Sequence, residues 1–232
     1  MHFEPSSGST LVERLEQLAA TRGEQLAYRF LHTGEVHGPQ TRLSYAQLRQ
    51  RARGLASRLR ADLPEGTRVL LLCDGGVEFI EAFWACLYAR VIAVPAYPPD
   101  PRRLQRTLPR LLALVADAAP EALLLDPRTA DAFDMLKRRL GEEEQRALGP
   151  LAELPRVVVD ASEPQPEAGI ASLPRPADVA YLQYTSGSTG QPKGSWSRTR
   201  TSATTARTSR LAGATRPTAT RCRGCRPSMT SV

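Results

Sequence analysis

Four short apolar runs recur along the middle of the 232-residue chain: RVLLLC at 68–73, VIAVPAY at 91–97, ALLLD at 122–126 and RVVVD at 156–160. A strand with one face in water alternates apolar and polar residues, so continuously apolar runs belong to strands buried on both faces. Stretches with helical spacing lie between them. Between 104 and 115, for example, Leu104, Leu108, Leu111, Leu112 and Val115 fall along one side. Buried strands alternating with amphipathic helices make a mostly parallel sheet flanked by helices on both faces, joined by right-handed crossovers. The predicted class is α/β.

The flanks supply punctuation. LVERLEQLAAT at 11–21 repeats apolar residues at 11, 15 and 18 behind the potential caps Ser9 and Thr10, which predicts a first helix. LAYRFL reads as a strand, with His32-Thr33-Gly34 as its turn. Ser44 with Gln47 three residues on is a capping-box pattern, and the helix behind it sets Leu48, Ala52, Leu55 and Leu59 on one face. Further helices are predicted near 77–89 and, as one element, near 128–147. Residues 161–177 hold four prolines and read as a surface connection, after which DVAYLQYT returns as a strand.

Composition narrows the function. No apolar run reaches the roughly 18 residues of a membrane span, and MHFEPSSGSTLVERLEQ lacks the basic start and apolar stretch of a secretory signal. The expected location is cytoplasmic, with no membrane span. Of the 31 basic residues eight lie in 195–232, where none of the 24 acidic residues stands, so the preceding 194 residues are one charge negative. The formal +7 therefore belongs to the tail. Cys73 and Cys86 sit in apolar patterns and read as free buried thiols. Cys222 and Cys225 form a single C-x-x-C with no second Cys/His pair to complete a zinc site, and all three histidines lie far upstream, so no metal site is expected. Trp84 and Tyr88, one helical turn apart, read as core. Arg102, Arg103 and Arg106 read as a solvated helix face, as does the run Glu142-Glu143-Glu144.

The most informative segment is Thr185-Ser186-Gly187-Ser188-Thr189-Gly190-Gln191-Pro192-Lys193-Gly194, which follows directly from the DVAYLQYT strand. Glycines let backbone N–H groups converge on an anion, hydroxyls add donors, and Lys193 brings a mobile positive charge. Pro192 before Lys193 departs from a Walker A loop. A strand of buried type leading into the loop and the Pro-Lys-Gly ending argue against a plain Gly/Ser linker.

YTSGSTGQPKG is similar, position by position, to the phosphate-loop signature of the AMP-forming adenylating enzymes. LSYAQLRQRARGLASRL, CLYARVIAVPAYPPDPRRLQRTLPRLLALVADAAP and DVAYLQYTSGSTG resemble the fatty acyl-AMP ligase branch in particular, and the likeness covers about 10–194. The resemblance implies that 1–194 is a partial N-terminal adenylation domain. It implies ATP-dependent activation of a fatty acid to acyl-adenylate, with pyrophosphate released and the acyl group passed to the phosphopantetheine thiol of an acyl carrier protein. Thr185, Ser186, Gly187, Ser188, Thr189, Gly190 and Lys193 would hold nucleotide phosphates, with Mg²⁺ sharing the task. An acyl-CoA ligase or a peptide-synthetase adenylation module fits the same signature.

After Gly194 the likeness stops. The family continues with a strand carrying V-x-x-S-H-x-N-L, whereas here SWSRTRTSATTARTSRLAG follows, and Leu and Val supply two of the last 38 residues. A basic arm for nucleic acid is one reading of 195–232, though aromatic residues to stack on bases are lacking apart from Trp196. The genetic code offers another. Read from the last base of the Gly194 codon, the shifted frame permits Val-Met-Val-Ser-His-Ala-Asn-Leu, and the same frame across Arg221 to Val232 permits V-S-W-L-P-P-F-H-D-V-G. Both match the family in the right order. The tail is thus expected to be out of frame and disordered, beginning at 195. The chain is expected to lack the family's later parts and to be catalytically silent.

Overall fold

The computed structural model describes residues 9–161, 172–186 and 192–199. A hairpin of β1 (Leu26–Leu31) and β2 (Gln40–Ser44) stands beside a six-stranded sheet. The sheet is built from β3 (Arg68–Leu72), β4 (Ile92–Pro95), β5 (Ala122–Leu125), β6 (Arg156–Val158), β7 (Val179–Ser186) and β8 (Pro192–Arg198), in the order β6-β5-β3-β4-β7-β8. Every pairing is parallel except β7 with β8, which is antiparallel. Helices α1 (Leu11–Arg22), α2 (Tyr45–Asp62) and α3 (Val77–Ala89) share a core with one face of the sheet. Helices α4 (Leu104–Ala118), α5 (Pro127–Arg139) and α6 (Glu142–Ala152) share a core with the other.

The double-sided burial explains the apolar runs. In β3, Val69 and Leu71 point into the α1–α3 core while Leu70 and Leu72 point into the α4–α6 core. In β5, Ala122 and Leu124 face one way and Leu123 and Leu125 the other. All eight are at most 1% exposed, so a polar residue at any of them would lose water without gaining a partner.

Local signals set the helix starts. Thr10 accepts from the Glu13 amide at 3.1 Å while the Glu13 carboxylate accepts from the Thr10 amide at 2.7 Å. Ser44 and Gln47 make the same reciprocal pair at the head of α2. Between β3 and α3 the chain passes through Gly75 (φ 47°) and Gly76 (φ 153°). A side chain at Gly76 would be strained by that backbone and would meet Glu78 Oε2 at 3.0 Å.

Two expectations are corrected. The helix predicted over 128–147 is two, because Leu140 turns to extended backbone (φ −71°, ψ 144°) and Gly141 follows it. In α4 the buried set is Leu108, Leu111, Leu114, Val115 and Ala118, whereas Leu104 and Leu112 only pack at its margin. Strand β8 runs past Gly194 to Arg198, and Thr199 continues the contact by donating its amide to Asp178 and accepting from the Leu11 amide. Strand pairing uses backbone groups that any residue brings, and β7 would otherwise present an open edge. Residues 200–232, with Cys222 and Cys225, lie outside the described residues. Strand β2 was not expected from the sequence at all. Its QTRLS is mostly polar and pairs antiparallel with β1, with only Leu43 buried.

Cys73 and Cys86 are free and buried. Burial and the nearby Asp126 push the Cys73 thiol up to about 12, which leaves it inert. Tyr88 is buried with its hydroxyl donating to Glu16 at 2.7 Å, and Trp84 packs against the same core. Glu142 and Glu143 open α6 and are exposed, on the turn where a negative charge suits the helix dipole. Among the described residues, no helix is long and apolar enough to cross a membrane.

Candidate nucleotide-phosphate site

Strand β7 is pinned near both ends. At its start Asp178 accepts from Arg90 Nε at 2.9 Å and from the Arg175 amide at 2.8 Å. Burial pushes the Asp178 carboxyl up, but those hydrogen bonds and the Arg90 charge outweigh it and hold the pKa below the usual value. Arg90 is able to reach because it ends α3 in the left-handed region (φ 61°). Near the other end, Tyr184 donates its hydroxyl to Asp117 of α4 at 2.6 Å. Partial burial, then the hydrogen bond to that carboxylate, raises the phenol to about 12. Between them Leu182 enters the α4–α6 core and Tyr181 meets Phe83 edge-on at 5.6 Å.

This strand carries the chain to the predicted loop. Thr185 and Ser186 close β7, and in the backbone register of the hairpin Thr185 faces Lys193 and Ser186 faces Pro192. Gly187, Ser188, Thr189 and Gly190 lie outside the described residues. The predicted segment is therefore the connection of a β7–β8 hairpin, at the C-terminal end of a strand in an otherwise parallel sheet. Ligands of open α/β sheets gather at that edge. The anchors Arg90, Asp117 and Asp178 were not singled out from the sequence. Asp117 and Tyr184 are 67 residues apart, and no local pattern links them.

A concavity lies on the same edge, at the ends of β3 and β5. It encloses about 600 Å³ and includes His32, Thr41, Asp74, Glu78, Asp126 and Arg128 in its walls. With three carboxylates against one guanidinium, its charge is of the wrong sign for a phosphate. Asp126 there is structural. It accepts from the Asp74 amide at 2.7 Å, the Thr129 amide at 2.9 Å and the Thr129 hydroxyl at 2.7 Å, capping α5 and fixing the end of β3. Burial presses this carboxyl upward, yet the three donors together hold its pKa below the ordinary value.

A depressed folded-state pKa contributes stability that is present above the unfolded value, about 3.9, and is lost as pH falls through the folded one. Asp126→Ala is expected to cost about 2 kcal/mol at pH 7, from a lost cap and an orphaned amide. Urea denaturation at pH 7 and near pH 3 checks this. The gap between wild type and variant should narrow at the lower pH.

Comparison with known proteins decides the family. The profile described as AMP-binding enzyme matches residues 15–222. The chain belongs to the AMP-binding enzyme family. It is 39% identical over 190 residues to JamA of Moorena producens, a medium-chain-fatty-acid–[acyl-carrier-protein] ligase, covering 80% of this chain and 30% of that protein. It is 35% identical over 192 residues to the long-chain-fatty-acid–AMP ligase FadD32 of Mycolicibacterium smegmatis, covering 81% of this chain and 28% of that one. The structure superposes on the fatty acyl-adenylate ligase of L. pneumophila, solved with acyl adenylate and pyrophosphate, at a TM-score of 0.62. That match has 28% identity and covers 82% of this chain and 30% of the other. Within this family the chain thus resembles fatty acyl-AMP ligases, as the sequence implied, and it spans under a third of their length.

Proposed function

We propose that this chain is the N-terminal part of a ligase that activates a fatty acid with ATP. A carboxylate oxygen of the acid attacks the α-phosphorus, the bond to the β-phosphate bridge breaks, and pyrophosphate leaves as acyl-adenylate forms. The acyl group then moves to the thiol of an acyl carrier protein, adenylate departing. The carrying observation is a half-buried strand, anchored through Asp178 and Tyr184, that ends in Thr185-Ser186 with Lys193 opposite in backbone register.

The protein's part in such a step is positioning and charge stabilisation. Backbone amides and hydroxyls of Thr185, Ser186, Gly187, Ser188, Thr189 and Gly190 would donate to the β- and γ-phosphates, and Lys193 would neutralise charge gathering on the leaving pyrophosphate. When bound, Mg²⁺ would add further neutralisation.

The residues after Gly194 are, in this reading, translated from a shifted frame. Two measurements test the whole. Sequencing the DNA from the Tyr181 codon onward shows whether one base is missing near Gly194. Acyl-dependent exchange of labelled pyrophosphate into ATP is then measured on the 232-residue chain and on a gene with that base restored. No exchange is expected from the first and clear exchange from the second. Exchange by the 232-residue chain itself, or none by the restored protein, would sink the reading.

A further inference from the structure

Ala93 pairs with Tyr181 across the parallel strands β4 and β7, so both strands end at the same edge of the sheet. Strand β4 stops at Pro95, and Tyr97 stands two residues past it at that edge. Tyr97 is 93% exposed, the most exposed of the large apolar side chains described. Pro98 and Pro99 follow it and restrict its backbone, so the ring is presented outward on a stiff segment.

Next come Arg102, Arg103, Arg106 and Arg110, all exposed. Residues 103, 106 and 110 are spaced by three and four, which makes one stripe along the start of α4. Among the described residues no carboxylate pairs with any of these arginines. The acid among them, Asp100, accepts from the Arg102 amide and so caps the 3₁₀ turn Pro101–Arg103.

The placement runs against helix energetics. Cations at a helix N-terminus oppose the dipole, and Arg106 stands in the first turn of α4. Here the first turn holds no acid, and Asp117 stands in the last. A stiffly exposed aromatic beside arginines is, by contrast, the composition of a protein-binding hot spot.

We propose that Tyr97 and the Arg102–Arg103–Arg106–Arg110 stripe are the landing surface for an acidic acyl carrier protein. The arginines meet carboxylates on the carrier's surface and the phosphodiester of its arm, and Tyr97 packs on the apolar collar between them. This rests on the ligase reading above. Guanidinium forks suit carboxylate and phosphodiester oxygens bidentately. The position just past the end of β4 brings the arm to the edge of the sheet where the acyl-adenylate would form. A membrane partner would ask for more than one exposed apolar anchor, and single-stranded nucleic acid for a succession of stacking rings.

The test is fluorescence anisotropy of a labelled holo acyl carrier protein titrated with the 232-residue chain, with binding of a fluorescent ATP analogue measured in parallel. Carrier binding is expected to weaken steeply with salt and at least about tenfold in Arg103→Glu/Arg106→Glu. Tyr97→Ala is expected to weaken it at an unchanged salt slope. Arg138→Glu/Arg139→Glu, exposed at the end of α5, changes net charge equally and is expected to leave binding alone. Arg103→Ala/Arg106→Ala provides a milder version of the same change, and circular dichroism checks each fold.

Equal loss in both charge-reversed pairs, or tighter binding of a DNA duplex or of anionic vesicles than of the carrier, overturns the docking proposal. So does a parallel loss of nucleotide binding, which would assign the stripe to the phosphates of ATP. Nucleotide binding without carrier binding sinks docking alone, whereas failure of both in the frame-restored protein as well sinks the ligase reading with it.

Discussion

Replacing Lys193 by alanine, in a chain continued in the family's frame, is expected to lower acyl-dependent pyrophosphate exchange by about 10²–10³-fold, as loss of one well-placed stabiliser of developing charge does. The fatty-acid KM should hardly change. The argument starts from the anchored strand. Asp178 and Tyr184 tie β7 to Arg90 and Asp117, and the backbone register sets Lys193 opposite Thr185. A cation tethered there contributes most when negative charge builds on the departing pyrophosphate, and an interaction stronger in the transition state than in the ground state lowers kcat when removed. Lys193→Arg keeps the charge but exchanges a compact ammonium for a wide planar fork, so partial activity is expected. An alanine variant as fast as wild type would remove Lys193 from the reaction.

The second large effect concerns stability. Glu81 is 2% exposed on α3, and its carboxylate meets Arg51 Nη1 of α2 at 2.7 Å. The same nitrogen donates to the carbonyl of Ala161. Burial raises the Glu81 pKa, while the Arg51 hydrogen bond and charge pull it down without cancelling the rise. Arg51→Ala leaves a buried carboxylate without its cation, at about 3 kcal/mol and toward the low side because water reaches part of Arg51.

The sign with pH follows. A carboxyl whose folded pKa is raised contributes stability that is present below the unfolded value and lost as pH rises through the folded one. The Arg51→Ala deficit should therefore be full at pH 7 and shrink toward pH 3, below the unfolded value of about 4.3, where Glu81 is mostly neutral in both states. Chemical denaturation at the two pH values measures it. Arg51→Leu/Glu81→Leu should recover much of the loss, because no charge is left buried. A deficit independent of pH would show that Arg51 acts through packing instead.

What the linear chain determined, and what it did not, divides by the range of the forces. Class was legible, because a strand buried on both faces has to be apolar throughout, and RVLLLC and ALLLD are. The starts of α1 and α2 were legible as well, because a capping box closes within four residues. The Gly/Ser/Thr run from Thr185 to Gly190 could be singled out by its own chemistry as a candidate for phosphate. Residue order did not reveal β2 or β8, which exist because an unpaired neighbour needed backbone partners rather than because QTRLS or PKGSWSR favours a strand. Nor did it break the helix at Leu140–Gly141. Tertiary structure alone left Tyr97 exposed past the end of β4, and it brought Asp117 to Tyr184 and Arg90 to Asp178. Those relations join residues far apart along the chain, and only the packing of α4 and β7 onto one sheet decides that they meet.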